Sequence, residues 1–271
     1  MPLLHLADLD DPRLALYRGV GDPELLRRGG RFVAEGRQVV RRLLRSPRFE
    51  TESVLVTPAA LDALAGDLEP RLADLPVYVV AVEQLISLTG FNIHRGCLAV
   101  GVRPADTTLD AVMPAAPALV VALEHAANAD NVGGVFRNAR AFGAAAVLLD
   151  PSSCDPLYRK AIRTSMGASL QVPFARVTPW PGGLARLREQ GFTIVALDPG
   201  EGALDIAAGE RWLLAPRLLL LAGNEGAGLS ADARGATDAC LRIPMTAGTD
   251  SLNLATATGI ALYVAMTARR G

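Results

Sequence analysis

The sequence predicts an α/β protein of two domains, the second built on a parallel sheet. Three observations carry this. The chain has 271 residues and is 50% hydrophobic, enough for one large core or two ordinary ones. Continuous apolar runs recur through its second half, each followed by a segment of helical character. Strands without an apolar/polar alternation, separated by helices, belong to parallel sheets covered on both faces. Between the halves, residues 103–117 hold Pro104, Pro114 and Pro117 and read as a linker. The boundary falls near Pro104, giving domains 1–104 and 105–271.

Residues 1 to about 26 are acidic and broken by Pro12, Gly19, Gly21 and Pro23, so they read as an irregular arm. From Phe32, the near-helical spacing of Val33, Val39, Val40, Leu43 and Leu44 predicts a helix. A strand at 53–57, a helix at 59–68, a strand at 77–81, a short helix at 83–88 and a strand at 96–102 complete a small α/β domain. The second half opens with ALVVALE, a buried strand ending at Glu124, then a Gly-rich turn and a helix around Phe136. Strands at 144–150, 192–198 and 217–223 follow, with helices at 161–170 and 184–190 and a short strand at LRIP.

Composition bounds the function. Net charge is −1, so the field of the whole molecule names no partner. Cys97, Cys154 and Cys240 lack C-x-x-C spacing, which indicates neither a zinc site nor a disulfide framework. The N-terminus MPLLHLADLDDPR carries acids where a signal peptide needs a basic start. No apolar run approaches the ~20 residues of a membrane helix. A cytoplasmic protein is expected. Lys160 is the only lysine among 27 basic residues. Arginine's planar fork suits phosphate, although GC-rich codons produce the same bias. From Arg27 to Arg48 there are eight arginines against Glu35, a local excess of seven positive charges. Solvated helix faces often carry charge runs, but this asymmetry fits an RNA footprint, with Arg28, Arg31, Arg37 and Arg41 as contacts. Arg159, Lys160 and Arg163 form a second basic group, read either as facing RNA, with Arg159 and Arg163 as contacts, or as a solvated helix face.

In open parallel sheets, ligands bind beyond the C-terminal strand ends. Three unusual turns lie at such ends: EHAANADNVGGVFRNA after ALVVALE, NEGAGLS after RLLLLAG, and SLN after LRIP. Asn131, Ser251 and Asn253 each read most simply as helix caps. Glu225, between glycines, suits the positive end of a helix. Arg137 stands on a largely apolar helix, where burial requires a partner such as Glu124 or Glu225; the functional reading is a phosphate clamp. Gly133-Gly134 could cradle a dinucleotide, but the full G-x-G-x-x-G and its acidic partner are missing. A nicotinamide-dependent oxidoreductase is therefore disfavoured.

Taken in order, NVGGVFRNARAFG from Asn131, LLLLAGNEGAGLS from Leu218 and IPMTAGTDSLNLATATGIAL from Ile243 resemble the signature of the SpoU/TrmH family of RNA ribose methyltransferases, part of the knotted SPOUT superfamily. FVAEGRQVVRRLL and FNIHRGCLAV resemble that family's small substrate-binding domain, and CDPLYRKAIRTSMGA, with Ser165 and Gly167, a segment lining its cleft. The resemblance implies a trefoil knot in the last strands and helix, a homodimer formed through the knotted domain, and no metal or membrane. It implies methyl transfer from S-adenosylmethionine to a ribose 2′-oxygen of structured RNA, ribosomal or transfer. Arg137 would be the leading catalytic residue, with Asn131, Glu225, Ser251 and Asn253 in support. Gly223, Asn224, Ile243, Met245 and Leu252 would hold the cofactor, largely through backbone groups. A guanidinium keeps its proton, so Arg137 is expected to orient phosphate and stabilise developing alkoxide charge. Leu254 and Thr256 replace the usual Val and Ser, and Asn138 a common Ser or Thr. The competing reading is a non-catalytic RNA-binding or ribosome-assembly protein on the same fold.

Overall fold

The computed structural model describes all residues except 1–2, 19–21, 90–95, 105–107, 115–116, 201, 225, 250 and 271; the side chain of Arg28 also lies outside the description. The chain forms two compact units, Met1–Asp106 with Leu157–Gln171, and Thr107–Pro156 with Val172–Gly271.

In the first unit, β1 (Leu4–His5), β2 (Arg31–Glu35), β3 (Glu50–Val56), β4 (Val77–Val79) and β5 (Cys97–Val102) make one sheet in the order β1-β4-β3-β5-β2. Strand β5 runs antiparallel to both its neighbours, and the β1, β4, β3 side is parallel. Helices α1 (Asp22–Gly29), α2 (Arg37–Leu44), α3 (Pro58–Leu68) and α4 (Val82–Thr89) complete it. Two expectations are corrected here. Residues 31–35 are a strand, and the helix begins only at Arg37, because Gly36 turns the chain at φ 92° between them. Phe32 and Val33 are both buried, as a strand covered on two faces requires. The arm is also not irregular: β1 extends the sheet, Leu14 and Tyr17 are fully buried, and the Tyr17 hydroxyl lies 2.7 Å from Ser53 Oγ. Proline and acid punctuation conceals a sparse apolar set there.

The second unit begins with α5 (Leu109–Val112), within the expected linker, then β6 (Ala118–Leu123), α6 (Ala129–Phe142) and β7 (Ala146–Leu149). Next comes α7 (Arg159–Thr164), which groups with the first unit. There Asp22 Oδ2 accepts from the Arg159 backbone N–H at 2.9 Å, and Arg42 donates to the Met166 carbonyl. The second unit resumes with β8 (Phe174–Arg176), α8 (Gly183–Glu189), β9 (Thr193–Leu197), β10 (Leu204–Asp205), α9 (Glu210–Leu213), β11 (Arg217–Ala222), α10 (Ala231–Gly235), β12 (Ala239–Arg242) and α11 (Leu254–Ala268). Its sheet, order β10-β12-β9-β11-β6-β7-β8, is parallel throughout. Every residue of β6 is buried, which explains its unbroken apolar run. After β6 the chain builds β7 and β8 on one side, then β9 on the other. That reversal opens a crevice at the C-terminal ends of β6 and β11.

Candidate active site

The turn after β11 is held by its own asparagine. Asn224 Oδ1 accepts from Gly226 N–H at 2.7 Å, its carbonyl accepts from Gly228 N–H at 2.9 Å, and its Nδ2 donates to the His125 carbonyl at 3.0 Å. The side chain therefore ties the β11 turn to the loop after β6. Gly223 has no room for a side chain: a Cβ there would sit 2.4 Å from the Gly228 carbonyl group and 2.6 Å from Leu229 N. Glu225 lies outside the described residues.

Glu124, at the end of β6, is 1% exposed. Its carboxylate accepts from Trp180 Nε1, Ser230 Oγ and Ser230 N–H, each at 2.7 Å. Three donors satisfy the buried charge, so it is the anchor of α10 and of the Trp180 segment, and not the partner of Arg137. His125 follows in a left-handed backbone conformation, φ 54°. Such strain in a non-glycine residue persists only where its surroundings impose it. Here the His125 carbonyl holds Asn224 and its N–H meets Asp150 Oδ1 at 3.1 Å.

Asp150, buried at the end of β7, also accepts from the backbone N–H and hydroxyl groups of Ser152 and Ser153. Burial raises its pKa, but these bonds outweigh burial and leave it below the ordinary carboxylate value. A depressed pKa stabilises the fold fully above the unfolded value near ~4, and the contribution is lost as pH falls through the folded value. Asp150→Asn is therefore expected to lower Tm at pH 7, with the gap to wild type closing below pH ~4. Paired melting curves across pH check this; a gap independent of pH would refute it.

Helices α6 and α11 meet closely. Asn128, not Asn131, caps α6, accepting from Asp130 N–H at 2.9 Å. Asn131, in the first turn, is buried and accepts from Asn253 Nδ2 at 2.8 Å. Asn253 in turn caps α11 through bonds from Ala255 and Thr256 N–H at 3.0 and 3.2 Å. Asn138 Nδ2 donates to the Ala255 carbonyl at 2.6 Å, and a Cβ on Gly134 would lie 2.6 Å from the Ala255 methyl. Asn138 is thus a helix-packing residue. Asn253→Ala removes both a cap, worth ~1 kcal/mol, and a part-buried side-chain bond of similar size. A loss of about 2 kcal/mol in denaturant unfolding is expected, and Asn131→Ala in that background should add little more.

Arg137 projects from α6 exposed to solvent, with no hydrogen bond or ion pair among the described residues. Ser251 is exposed at the start of the turn into α11. Together with Gly223, Asn224, Ile243, Met245 and Leu252, Ser251 lines one cavity of about 480 Å³ at the ends of β9, β11 and β12. Asn131, Asn253 and Arg137 do not line it. Asp198, missed by sequence reasoning, stands at its edge, accepting from Gly200 N–H at 2.7 Å and facing Arg234 at 2.6 Å. The strand-end Asp-Pro-Gly at 198–200 is the signal that could have revealed it.

In the first unit, several basic candidates are already engaged. Arg31 Nε meets Glu52 at 2.6 Å, Arg41 Nε meets Asp67 at 2.6 Å, and Arg159 Nε stands 4.0 Å from Asp22. Arg37 is half-buried and Arg163 exposed.

Residues 118–263 match the SpoU rRNA Methylase family. The chain belongs to that family. An uncharacterised tRNA/rRNA methyltransferase of Mycobacterium tuberculosis is 37% identical over 262 residues, 95% of this chain and 90% of the relative. Among solved structures, the SpoU methyltransferase AviRb of Streptomyces viridochromogenes in complex with AdoMet is 26% identical, with a TM-score of 0.82 over 96% of this chain and 99% of that one. An RNA 2′-O ribose methyltransferase superposes at 0.77, with 25% identity over 99% of this chain and 100% of that one. This SpoU protein is accordingly an RNA methyltransferase that uses S-adenosylmethionine. The cavity fits the cofactor: its volume lies within the ~300–1,000 Å³ of ligand pockets, and its wall joins apolar side chains to exposed turn backbone. Among the described residues, no helix is long and apolar enough to cross a membrane and no cluster of potential metal ligands occurs.

Proposed function

We propose that this protein methylates a ribose 2′-oxygen of ribosomal or transfer RNA. The observation that carries the reading is the meeting of Gly223, Asn224, Ile243, Met245, Ser251 and Leu252 in one crevice cavity. Beside α11, whose first turn closes that cavity, α6 presents the solvent-exposed guanidinium of Arg137, which has no ion-pair partner among the described residues. The likeness to a 2′-O ribose methyltransferase across the whole chain supports the choice of oxygen.

When bound, S-adenosylmethionine supplies an electrophilic methyl on a sulfonium. The protein's part in an in-line displacement is mostly positioning. Gly223, Ile243 and Leu252 would hold the cofactor through backbone groups, and Met245 would give it an apolar wall. Asn131 and Asn253 fix α6 against α11, and so fix the base of Arg137. Arg137 grips the phosphate beside the target ribose and stabilises negative charge as the 2′-oxygen bonds the methyl carbon. Bond formation would leave the C–S electron pair on sulfur and release the hydroxyl proton to water. Glu225, a supporting residue by the family resemblance, lies outside the described residues. The family reading also carries the trefoil-knotted path and a homodimer. Helix α11 favours a second copy, since Tyr263, edge-on to Phe142 at 6.0 Å, remains 54% exposed on a helix that carries no charged residue.

The test is transfer of labelled methyl from S-adenosylmethionine to unmodified total RNA, followed by alkaline hydrolysis and size fractionation. Label in alkali-resistant dinucleotides is expected; label released wholly as mononucleotides would refute the ribose assignment and point to a base.

A further inference from the structure

Among the described residues that line the cofactor cavity, Asp198 is the one carboxylate. It follows the last residue of β9 and is 7% exposed. A buried carboxylate needs donors or a cation, and two elements supply them in part. Gly200 N–H, in the turn that follows, donates to Oδ1 at 2.7 Å. The Arg234 guanidinium, from α10, stands 2.6 Å from Oδ2. Oδ2 nonetheless takes no hydrogen bond from any described residue. A carboxylate has about four lone-pair sites, so acceptor capacity is left over in the cavity wall. Buried acceptors without a donor are rare in native proteins, and one beside a ligand cavity marks a place for a donor that the ligand brings.

The carboxylate is held from several sides. Asp198 N–H donates to the Leu241 carbonyl of β12 at 3.0 Å. Helix α10, which carries Arg234, is anchored through Ser230 on Glu124. Gly200 leaves room for the pair to close: a Cβ there would lie 2.8 Å from Asp198 Oδ1 and 3.0 Å from Arg234 Nη1.

S-adenosylmethionine brings three kinds of donor: the purine amine, two vicinal ribose hydroxyls and the ammonium of its amino-acid end. The ammonium would meet a like charge, Arg234, beside the carboxylate it seeks. The amine is served by neutral carbonyls of the exposed turn backbone in the same cavity. The hydroxyls are neutral, leave the ion pair closed, and suit the two oxygens of one carboxylate. Hydrogen bonds to an ionised acceptor are also roughly twice as strong as neutral ones. We propose that Asp198 binds the ribose diol of S-adenosylmethionine, with Arg234 and Gly200 holding the carboxylate in place. The proposal rests on the use of that cofactor and is independent of which RNA atom receives the methyl. It adds one acidic side chain to a site whose other contacts are backbone and apolar surface.

The test is calorimetric binding to the full chain of four ligands: S-adenosylmethionine, S-adenosylhomocysteine, the 2′,3′-dideoxy form of the latter, and 5′-methylthioadenosine, which keeps the diol but lacks the amino acid. Wild type is expected to bind the dideoxy form about tenfold or more weakly than S-adenosylhomocysteine, the usual cost of losing hydrogen bonds to a charged group. Asp198→Asn should weaken the three diol ligands alike, by about tenfold or more, and leave the dideoxy form within about threefold of its wild-type affinity. Gly200→Ala, which crowds the carboxylate without removing it, should show the same pattern with a smaller loss, and serves if Asp198→Asn does not fold. Equal losses for all four ligands in both variants would make Asp198 a structural residue. Losses confined to the two amino-acid ligands would place the carboxylate at the other end of the cofactor. Either result, or a wild type indifferent to the missing hydroxyls, overturns the proposal and leaves cofactor use standing. A wild-type chain that binds none of the four would overturn the cofactor assignment itself.

Discussion

Arg137→Ala is expected to lower methyl transfer by about 10²–10³-fold, the usual effect of deleting one preorganised electrostatic contact to a transition state. The side chain makes no hydrogen bond or ion pair among the described residues, so its removal leaves no buried group unsatisfied and the fold should be unaffected. It does not line the cofactor cavity, so S-adenosylmethionine affinity should remain within about twofold. Arg137→Lys keeps the charge but not the fork and should fall between the two. Single-turnover transfer with calorimetric cofactor binding separates these effects. Wild-type turnover in the alanine variant would remove Arg137 from the mechanism; lost cofactor binding would make it a structural residue.

Gly223→Ala is expected to disable the cofactor site outright. The added methyl would meet the Gly228 carbonyl group at 2.4 Å and Leu229 N at 2.6 Å, all backbone atoms that cannot rotate aside. Overpacking of this kind costs ~1–3 kcal/mol, about 2–4 °C of Tm per kcal/mol at this chain length. The displaced segment also carries the Asn224–Gly228 bond and, through Asn224, the link to His125, so the cavity wall moves with it. A fall of at least tenfold in S-adenosylmethionine affinity should accompany the lower Tm. Gly235→Ala, where a Cβ meets nothing within 4 Å, is the matched control and should be near neutral. Wild-type melting and affinity in Gly223→Ala would show that the turn is looser than its contacts imply.

Much of this architecture was legible in the sequence because parallel strands declare themselves. The runs ALVVAL and RLLLLA are buried at nearly every position, and the glycine and asparagine turns after them mark the crevice. What escaped was non-local. Asn253 is readable as a cap, but its bond to Asn131, 122 residues away, is not. Glu124 looked like a partner for Arg137, yet Trp180 and Ser230 reach it first. The charge excess around α2 was counted along the chain, where Asp67 and Glu52 do not enter the sum. Strand β2 was lost because Val33 happens to extend the spacing of α2, and only the backbone turn at Gly36 separates them.

The grouping of Leu157–Gln171 with residues before 107 bears on how the protein is made. The chain leaves the ribosome in order, at ~5–20 residues per second, so the first unit waits several seconds for its last helix while β6, α6 and β7 emerge. During that interval β2 lacks α7, and Asp22 lacks the Arg159 backbone N–H that it binds at 2.9 Å in the finished fold. A ribosome halted near residue 104 should therefore carry an N-terminal unit that is easily cut by protease, and one halted well beyond residue 171 a resistant one. The same discontinuity means that this unit cannot be exchanged between proteins at a single junction: a graft that ends at the proline-rich linker leaves Leu157–Gln171, and with it α7, behind.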